Sequence, residues 1–466
     1  MSAQIECDVA IVGAGPAGLN AALAATEFGA AVVVLDEYPE PGGQFLKQLP
    51  ADFRVRDHEQ LGRDYTKGDA LFARVRKAGI RIINEALVWG AFEPGALSVS
   101  CRGDQFTVKA RAIVVATGAY ERPAVFPGWD LPGVMTPGAA QTLVKNQRTL
   151  PGNRIVLAGS GPFLLPVAST LLGAGASIGA LLEATHPSAW WRDGARGLAH
   201  VARMREAVGY AFMLAVSRVP VRFRRIVVRA EGNGRLERVV TAACDEAGRA
   251  IPGTRVSEPC DVLCASYGFI PAVQVTRLLG CRHRYDLLRG GWIPEYDDDM
   301  ETSVPGVFVA GEVAGIGGAH AAMAEGEIAG LAAAVKTGCI VPLSRYQKAE
   351  AVRTHHRSFA AIMNRVFAPK ADLDDHITDE TIVCRCEEVT AGEIRGSAHE
   401  WSPNVNTVKG VTRCGMGLCQ GRICGSVVEQ LVARKLGREP GTVDTLRSRL
   451  PVRPVVLGDI AKMEDG

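Results

Sequence analysis

The sequence predicts an α/β fold with two Rossmann-like domains, one inserted in the other, and a small helical domain at the C-terminal end. Two observations predict the Rossmann-like domains. A glycine-rich turn stands between an apolar run and a helix-forming run near residue 15, and the same arrangement recurs near residue 160. The third observation is a group of five cysteines between residues 384 and 424, which predicts a separate metal-binding region.

The composition is that of a globular enzyme. Of the 466 residues, 47% are hydrophobic and 22% charged, and a net charge of only +2 creates no field that would attract nucleic acid. The chain enters a strand pattern by Cys7 without the features of a signal peptide, so we expect a cytoplasmic protein. The uncharged stretch 155–182 is long enough for a membrane span, but its GSGP and GAGA turns predict a buried strand–helix–strand unit instead.

The glycine- and proline-rich crossings give a prediction for the domain boundaries. The first Rossmann-like domain is discontinuous, because the apolar strand in TSVPGVFVAGEVAG returns to it late in the chain. We expect this domain at 1–120 and 290–343, enclosing the second domain at 121–289. A helical connector at 344–380, the cysteine domain at 381–440 and an extended tail at 441–466 follow.

The first glycine turn has the spacing that binds a dinucleotide. Gly13, Gly15 and Gly18 form GxGxxG: the first allows the tight turn, the second lets backbone approach a pyrophosphate, and the third lets helix pack on strand. The helix N-terminus then faces the phosphates. Asp36 ends the next apolar run, where a carboxylate can bind a ribose hydroxyl.

Three remote segments favour FAD over NAD as this dinucleotide. Gly43 and Gln44 follow the second strand, ATG at 116–118 closes the first half, and Glu312 stands at a late strand end, where it can hold a ribityl chain. The helix after Gly318 would stabilise negative charge on a reduced flavin. The predicted FAD-binding residues are Gly13, Gly15, Pro16, Ala17, Gly18, Asp36, Glu37, Gly43, Gln44, Ala116, Thr117, Gly118, Gly311, Glu312, Gly318 and Ala319.

The second glycine turn departs from the dinucleotide pattern. Leu164 stands where the third glycine should be, and Phe163 adds bulk at the helix start. The candidate nucleotide-binding residues here are Gly159, Gly161, Pro162 and Glu183. We expect the fold to be kept and NAD turnover to be poor; whether NAD, ATP or no nucleotide binds stays open.

The cysteine cluster carries the strongest metal signal. Cys384 and Cys386 form CxC, and 32 residues later Cys419 and Cys424 form CxxxxC. Four thiolates on two glycine-bounded loops suit a [2Fe–2S] cluster or zinc, and because zinc sites favour CxxC, the spacing favours iron–sulfur. Spacing alone leaves Cys414 open as a fifth candidate.

Two resemblances can be stated on these motifs. The first 340 residues resemble the glutathione and thioredoxin reductase group of flavoproteins, although PGGQFLK and TPGAAQTLV lack the cysteines of that group, so dithiol chemistry is not expected. The cysteine stretch resembles the bacterioferritin-associated ferredoxin-like [2Fe–2S] domain. That resemblance assigns Cys419 and Cys424 as cluster ligands.

The chain as a whole resembles the larger FAD subunit of heteromeric amine dehydrogenases, a group that includes opine oxidases, D-hydroxyproline dehydrogenase and hydrogen cyanide synthase. The motifs that carry the resemblance are ERPAVFPGWDLPGVMTPGAAQTL, GSGPFLLPVA, VAGEVAGIGGA, CRCEE, CGMGLCQGRIC and RLPVRPV. It implies an oxidoreductase subunit with FAD and a [2Fe–2S] cluster that relays electrons from an opine- or hydroxyproline-like amine.

The same resemblance implies partners. A D-amino-acid-oxidase-type flavin subunit would oxidise the amine, FMN is a further candidate at a subunit interface, and a small ferredoxin-like subunit is expected. The alternative from the residues is an NAD(P)H-dependent reductase that feeds its own cluster. No catalytic residue can be assigned, and neither the amine nor the final electron acceptor can be derived.

Overall fold

The computed structural model describes residues 3–50, 52–53, 63–189, 200–370, 375–399 and 403–461. The chain divides into two compact units. The first is Met1–Tyr120, Ile270–Ala360 and Arg447–Gly466, and the second is Glu121–Phe269 and Ala361–Leu446. The finer domain boundaries given above stay a prediction, and residues 462–466 of the predicted tail lie outside the described part.

The first unit opens with a strand–turn–helix–strand sequence. Strands β1 (Ala3–Val12), β2 (Val32–Leu35) and β3 (Arg81–Ile83) are parallel, with helix α1 (Pro16–Glu27) after β1 and helices α2 (Arg63–Thr66) and α3 (Asp69–Lys77) before β3. Strands β4 (Ala86–Gly90), β5 (Ala96–Cys101) and β6 (Asp104–Val115) complete the order β3-β2-β1-β6-β5-β4. Because β1 pairs with β6 in parallel, the carboxyl end of β1 lies inside the sheet, where ligands of such folds bind.

The second unit repeats this plan. Its sheet has the order β11-β10-β9-β15-β7, with β8 beside β15. The elements are β7 (Ala119–Pro123), β8 (Val134–Met135), α4 (Pro137–Gln147), β9 (Arg154–Gly159), α5 (Leu164–Gly173), β10 (Ser177–Glu183), α6 (Val201–Val216), β11 (Val221–Phe223), β12 (Arg225–Glu231), β13 (Arg238–Ala243), β14 (Val256–Pro259) and β15 (Val262–Pro271). The uncharged stretch 155–182 is therefore strand, helix and strand. Within the described residues, no helix has the length and apolar character needed to cross a bilayer.

The chain then returns to the first unit. The elements are α7 (Gln274–Leu278), β16 (His283–Asp286), β17 (Gly291–Pro294), β18 (Val307–Val309), α8 (Ala319–Lys336) and α9 (Leu343–Val366). β18 pairs with β6 in parallel, which explains why the late apolar run belongs to the first sheet. A Cβ on Gly326 or Gly330 of α8 would lie 2.1 Å from the Ala17 carbonyl oxygen or 2.2 Å from that of Ala21, so the two glycines let α8 pack backbone to backbone against α1.

The cysteine region is small and helical. Strands β19 (Ile382–Cys384) and β20 (Val389–Thr390) form a hairpin, and helices α10 (Ala391–Ser397), α11 (Val405–Thr412) and α12 (Gly425–Lys435) follow. Thr390 and Glu393 form a reciprocal capping box that begins α10. Helix α13 (Leu457–Ile460) is the last element. The prediction of two Rossmann-like domains with a small helical C-terminal domain is confirmed.

Candidate functional site

The first glycine turn leaves room for a ligand beside Gly15 and none beside its neighbours. A Cβ on Gly13, whose φ is +107°, would lie 2.5 Å from the Ala116 carbonyl oxygen, and one on Gly18 would lie 1.8 Å from the Gly13 carbonyl oxygen. At Gly15 the nearest atom to an added Cβ is the Gly43 Cα, 3.8 Å away. Gly15 is the N-cap of α1, and no side chain caps the helix there. The structure therefore presents an open helix N-terminus to a phosphate.

The side chain of Asp36 is turned toward the glycine turn. Its carboxylate accepts hydrogen bonds from the backbone N–H of Ala14 and, at 2.8 Å, from that of Tyr38. Asp36 is buried, and this burial raises its pKa. The carboxylate thus ties the end of β2 to the turn after β1. The adjacent Glu37 forms an ion pair of 2.8 Å with Arg453 in the RLPVRPV segment.

The other early residues predicted to bind FAD lie around this turn. Gly43 has a φ of +58°, and a Cβ there would lie 2.9 Å from the Gly15 Cα, so the two backbones pass closely. Gln44 donates to the Tyr38 hydroxyl at 3.1 Å and accepts from Lys47 at 3.0 Å. In the ATG segment, the Thr117 hydroxyl donates to the Ala272 carbonyl oxygen at 2.8 Å, which fixes the end of β6.

Glu312 holds the glycine loop that leads into α8. Its Oε1 accepts from the N–H of Gly317 at 3.0 Å and from that of Gly318 at 2.7 Å. Burial raises the pKa of Glu312. Gly318 is the N-cap of α8 and has a φ of +82°, again without a capping side chain. The same loop begins at Gly311, where a Cβ would lie 2.9 Å from the Ala17 Cβ.

A buried ion pair supports this loop, and sequence reasoning missed it. Glu325, only 1% exposed, pairs with Arg357 of α9 and accepts from the Gly311 N–H at 3.1 Å. Arg357 also donates to the Gly315 carbonyl oxygen at 2.9 Å. The available signal was the pair of glutamates, Glu325 and Glu327, inside the largely apolar run of α8, because a charge that becomes buried there requires a partner.

The second glycine turn keeps part of this geometry. Glu183 is buried and accepts from the N–H of Gly161 at 3.1 Å and of Thr185 at 2.8 Å, so it bonds 22 residues back and two residues forward, as Asp36 does. Burial raises the pKa of Glu183. Gly159 is packed tightly, since a Cβ there would lie 2.0 Å from the Ser266 carbonyl oxygen, whereas Gly161 has open space.

The helix start differs between the two turns. α1 begins at Pro16, directly after its second glycine, while α5 begins at Leu164, two residues beyond the equivalent Pro162. Leu164 is 3% exposed and packs in the core, and the Phe163 ring lies edge-on to Phe269 with 5.2 Å between the centroids. The backbone N–H groups of the first helical turn are therefore set back from the glycine turn.

All five C-terminal cysteines lie together. The sulfur atoms of Cys384, Cys414 and Cys424 lie within 4.8 Å of one another, and all three side chains are buried. Cys419 has sulfur contacts with Cys424 and Cys386, which joins the remaining two thiols to the group. The tightest trio thus includes Cys414, the cysteine that the sequence left open.

Hydrogen bonds in this group favour the thiolate at Cys384 and Cys419, whereas they raise the pKa of Cys414 and Cys424. The thiols of Cys414 and Cys424 donate to the Cys384 sulfur and, with the backbone N–H groups of Gly415 and Glu387, lower the pKa of Cys384 to about 2. The Cys424 thiol, with the N–H groups of two loop residues, lowers the pKa of Cys419 to about 5. Like charges this close cannot all ionise alone, so the donor set fits a cation or a cationic cluster.

A cavity of about 270 Å³ adjoins the thiols. Four cysteines line it, namely Cys384, Cys386, Cys419 and Cys424, together with Glu121, Pro123, Ala124, Trp129, Val134, Met135, Thr136, Ala265, Arg385 and Ile423. Trp129 fixes the hairpin that carries CRC, because its indole N–H donates to the Ile382 carbonyl oxygen at 2.5 Å. Gly417 allows the two cysteine loops to meet, since a Cβ there would lie 2.2 Å from the Cys386 Cβ. The cavity and its thiols fit a small iron–sulfur cluster.

Comparison with known proteins places the chain in a family. Residues 7–326 match the family model described as pyridine nucleotide-disulphide oxidoreductase, and residues 378–463 match that of the sarcosine oxidase A3 domain. One subunit of opine oxidase from Rhizobium meliloti is 34% identical, with 98% of this chain and 87% of that protein covered. The HcnB subunit of hydrogen cyanide synthase from Pseudomonas aeruginosa is 31% identical, with 96% of each covered.

A solved structure agrees with this placement at the level of the fold. L-proline dehydrogenase from P. horikoshii is similar with a TM-score of 0.72 and 20% identity, and the match covers 99% of this chain and 80% of that chain. The family models and the relatives together bear out the oxidoreductase and flavoprotein predictions. The chain belongs to the pyridine nucleotide-disulphide oxidoreductase family, in the group of FAD-dependent subunits that includes those of opine oxidase and hydrogen cyanide synthase.

Proposed function

We propose that this chain is the FAD- and [2Fe–2S]-containing subunit of a heteromeric dehydrogenase that oxidises an amine or amino acid on a partner subunit. An opine- or hydroxyproline-like compound is the proposed substrate class. The proposed partners are a flavin subunit of the D-amino-acid-oxidase type and a small ferredoxin-like subunit, in the cytoplasm. Its role would be to relay the electrons of that oxidation.

One observation carries the iron–sulfur half of the proposal: the four cysteines of the CxC and CxxxxC pairs line a single cavity. Cys384, Cys386, Cys419 and Cys424 would hold the cluster. Backbone N–H groups donate to three of these sulfurs, those of Cys384, Cys386 and Cys419, as expected where thiolates are to be stabilised.

The flavin half rests on the first glycine turn and the α8 loop. Gly15 would admit the pyrophosphate at the start of α1, and Gly43 would let backbone pass beside it. Asp36 would keep the glycine turn in place, and Glu312 the α8 loop, through the hydrogen bonds that their carboxylates accept from backbone N–H groups. When bound, FAD supplies two-electron and a [2Fe–2S] cluster one-electron redox chemistry.

The names of the relatives support a partner subunit. The opine oxidase and hydrogen cyanide synthase relatives are each named as one subunit of an enzyme, and each matches this chain over nearly its whole length. If this chain resembles them in assembly, the amine pocket lies on another polypeptide. A pocket on another polypeptide would also explain why no catalytic residue can be assigned from the sequence.

The test is purification of the chain together with the products of its neighbouring genes. We expect FAD, iron and acid-labile sulfide in the complex, and bleaching of the flavin absorbance when an opine or hydroxyproline is added without oxygen. Zinc in place of iron would overturn the cluster assignment. Amine-dependent bleaching by this chain alone would overturn the division of labour between the subunits.

The alternative, an NAD(P)H-dependent reductase, is favoured by one observation. Glu183 is bonded to the second glycine turn with the same 22-residue and two-residue separations as Asp36, so part of a nucleotide site is kept. The displaced start of α5 argues against it, because the phosphates would lose the nearest N–H donors. The proposal leaves open whether NAD, ATP or no nucleotide binds at this second site.

A further inference from the structure

The thiol of Cys414 stands behind the wall of the cysteine cavity. Its side chain is 0% exposed, and its sulfur lies 3.9 Å from that of Cys424 and within 4.8 Å of that of Cys384. Yet Cys414 is not among the described residues that line the cavity, whereas Cys384 and Cys424 are. Cys414 therefore contacts two sulfurs of the cavity lining without itself lining the space that a cluster would occupy.

The surroundings of Cys414 hold it in that position. Cys414 follows the last turn of α11. It stands between Arg413, whose backbone is in the left-handed conformation, and Gly415, whose φ is +80°. Its N–H donates to the Thr412 hydroxyl at 3.2 Å. A Cβ on Gly415 would lie 2.8 Å from a methyl carbon of Leu446, so the loop is packed on its outer side.

We infer that Cys414 is not a ligand but a buried thiol that donates its single S–H to a neighbouring ligand sulfur, that of Cys384 or Cys424, and so helps set the reduction potential of the cluster. This inference rests on the proposed function. The chemistry follows from the thiol group, which keeps its proton when four other sulfurs already complete the cluster and is a weak donor. Hydrogen bonds to cluster sulfurs help set the potential, because they stabilise the more negative, reduced form.

The experiment compares Cys414→Ala, Cys414→Ser and the matched control Cys264→Ala in the assembled complex. Cys264 is also 0% exposed and lies in the same unit, on β15, outside the cluster group. Iron, sulfide and FAD are measured first, and the midpoint potential of the cluster is then determined by EPR-monitored redox titration.

We expect all three variants to retain iron. Cys414→Ala should shift the midpoint potential to a more negative value, since a donor is lost, while Cys414→Ser should recover part of the shift because its hydroxyl can donate. Cys264→Ala should match the parent protein. If Cys414→Ala folds poorly, as judged by circular dichroism, the comparison of Cys414→Ser with the parent in D₂O and H₂O shows whether a donated proton affects the cluster.

Loss of iron from Cys414→Ser, with the circular dichroism spectrum of the parent retained, would make Cys414 a ligand and overturn the inference while leaving the iron–sulfur domain intact. An unchanged potential in Cys414→Ala would reduce Cys414 to packing. For the D₂O comparison, no isotope effect on the cluster would also count against it. Zinc in the parent protein would instead overturn the proposed function itself, which separates the two failures.

Discussion

At the scale of single residues, the space around a glycine decides what its replacement does. Gly15 is the glycine of the first turn whose Cβ would clash with no protein atom, because its nearest neighbour, the Gly43 Cα, would lie at an ordinary contact distance of 3.8 Å. We therefore expect Gly15→Ala to fold normally and to lose FAD, because the added methyl group occupies the place where a pyrophosphate approaches. The flavin-to-protein absorbance ratio, with circular dichroism as the folding check, measures this.

Two control variants accompany the Gly15 prediction, one at a glycine with free space around it and one at a tightly packed glycine. Gly209→Ala, in the helix α6 with nothing near its Cβ, should keep both fold and flavin, whereas Gly18→Ala should misfold because its Cβ would lie 1.8 Å from the Gly13 carbonyl oxygen. Stoichiometric FAD in Gly15→Ala would show that the pyrophosphate binds elsewhere.

The four cavity cysteines carry the second prediction. Changing Cys384, Cys386, Cys419 or Cys424 singly to serine should deplete the protein of iron, because three remaining thiolates leave an iron exposed and readily lost. The flavin should remain, since its glycine turn belongs to the first unit. Iron analysis and the flavin spectrum of each variant test this. Full iron occupancy in any one of them would remove that cysteine from the ligand set.

Glu121 lines the same cavity, and its raised pKa predicts that the stability of the folded protein depends on pH. Burial raises its pKa from 4.5 to about 7, although the Thr136 hydroxyl and the Gly138 N–H stabilise its charge. Because the folded pKa is the higher one, the stability due to its proton is present below about pH 4.5 and is lost as pH rises through about 7.

We therefore expect Glu121→Gln, which cannot ionise, to gain in stability relative to the parent as pH rises. At about 1.4 kcal/mol per pKa unit, the gain approaches about 3 kcal/mol. The measurement is the unfolding midpoint of both proteins at pH 5 and pH 8. A difference between them that does not change with pH would contradict the assignment.

At the scale of elements, helices α8 and α9 are joined by the Glu325–Arg357 pair. Arg357→Met should lower stability by about 3–5 kcal/mol, because it leaves a buried carboxylate without its partner. The double variant Glu325→Gln with Arg357→Met should recover much of this, since the lone charge is gone. Thermal unfolding of the three proteins measures the effect, and a double variant no more stable than Arg357→Met would contradict it.

The two glycine turns make a further prediction at this scale. Helix α5 starts two residues farther from the second glycine of its turn than α1 does. We therefore expect the isolated chain to oxidise NADH at a rate well below about 10 per second. Steady-state NADH consumption by the purified chain tests this. Turnover at that rate would favour the NAD(P)H-dependent reductase.

The sequence could predict the features that neighbouring residues determine, but not the contacts between residues far apart in the chain. The glycine turns and the strands beside them are set by neighbouring residues, so the strand–helix–strand form of 155–182 could be derived. The Glu325–Arg357 pair joins residues 32 positions apart on two helices, and nothing local to either residue names its partner. Cys414 shows a similar limit, because spacing left it open as a fifth candidate, whereas only the folded chain shows its sulfur within 4.8 Å of those of Cys384 and Cys424.

At the scale of the whole molecule, both units are built from separate stretches of chain. The polypeptide passes from one unit to the other after residues 120, 269, 360 and 446. Each Rossmann-like sheet keeps its acid bonded to its own glycine turn, so each candidate nucleotide site is built within one unit. The division agrees with a protein in which one site binds FAD and the other has diverged.

The segment after residue 446 completes the first unit, and this has a consequence for how the protein is made. Val452 donates to the Trp89 carbonyl oxygen at 3.0 Å, and Arg453 pairs with Glu37 beside the glycine turn. On the ribosome, residues 37 and 89 emerge long before residues 452 and 453, while every residue of the second unit precedes them. The first unit therefore acquires these contacts only after every residue of the second unit has been synthesised.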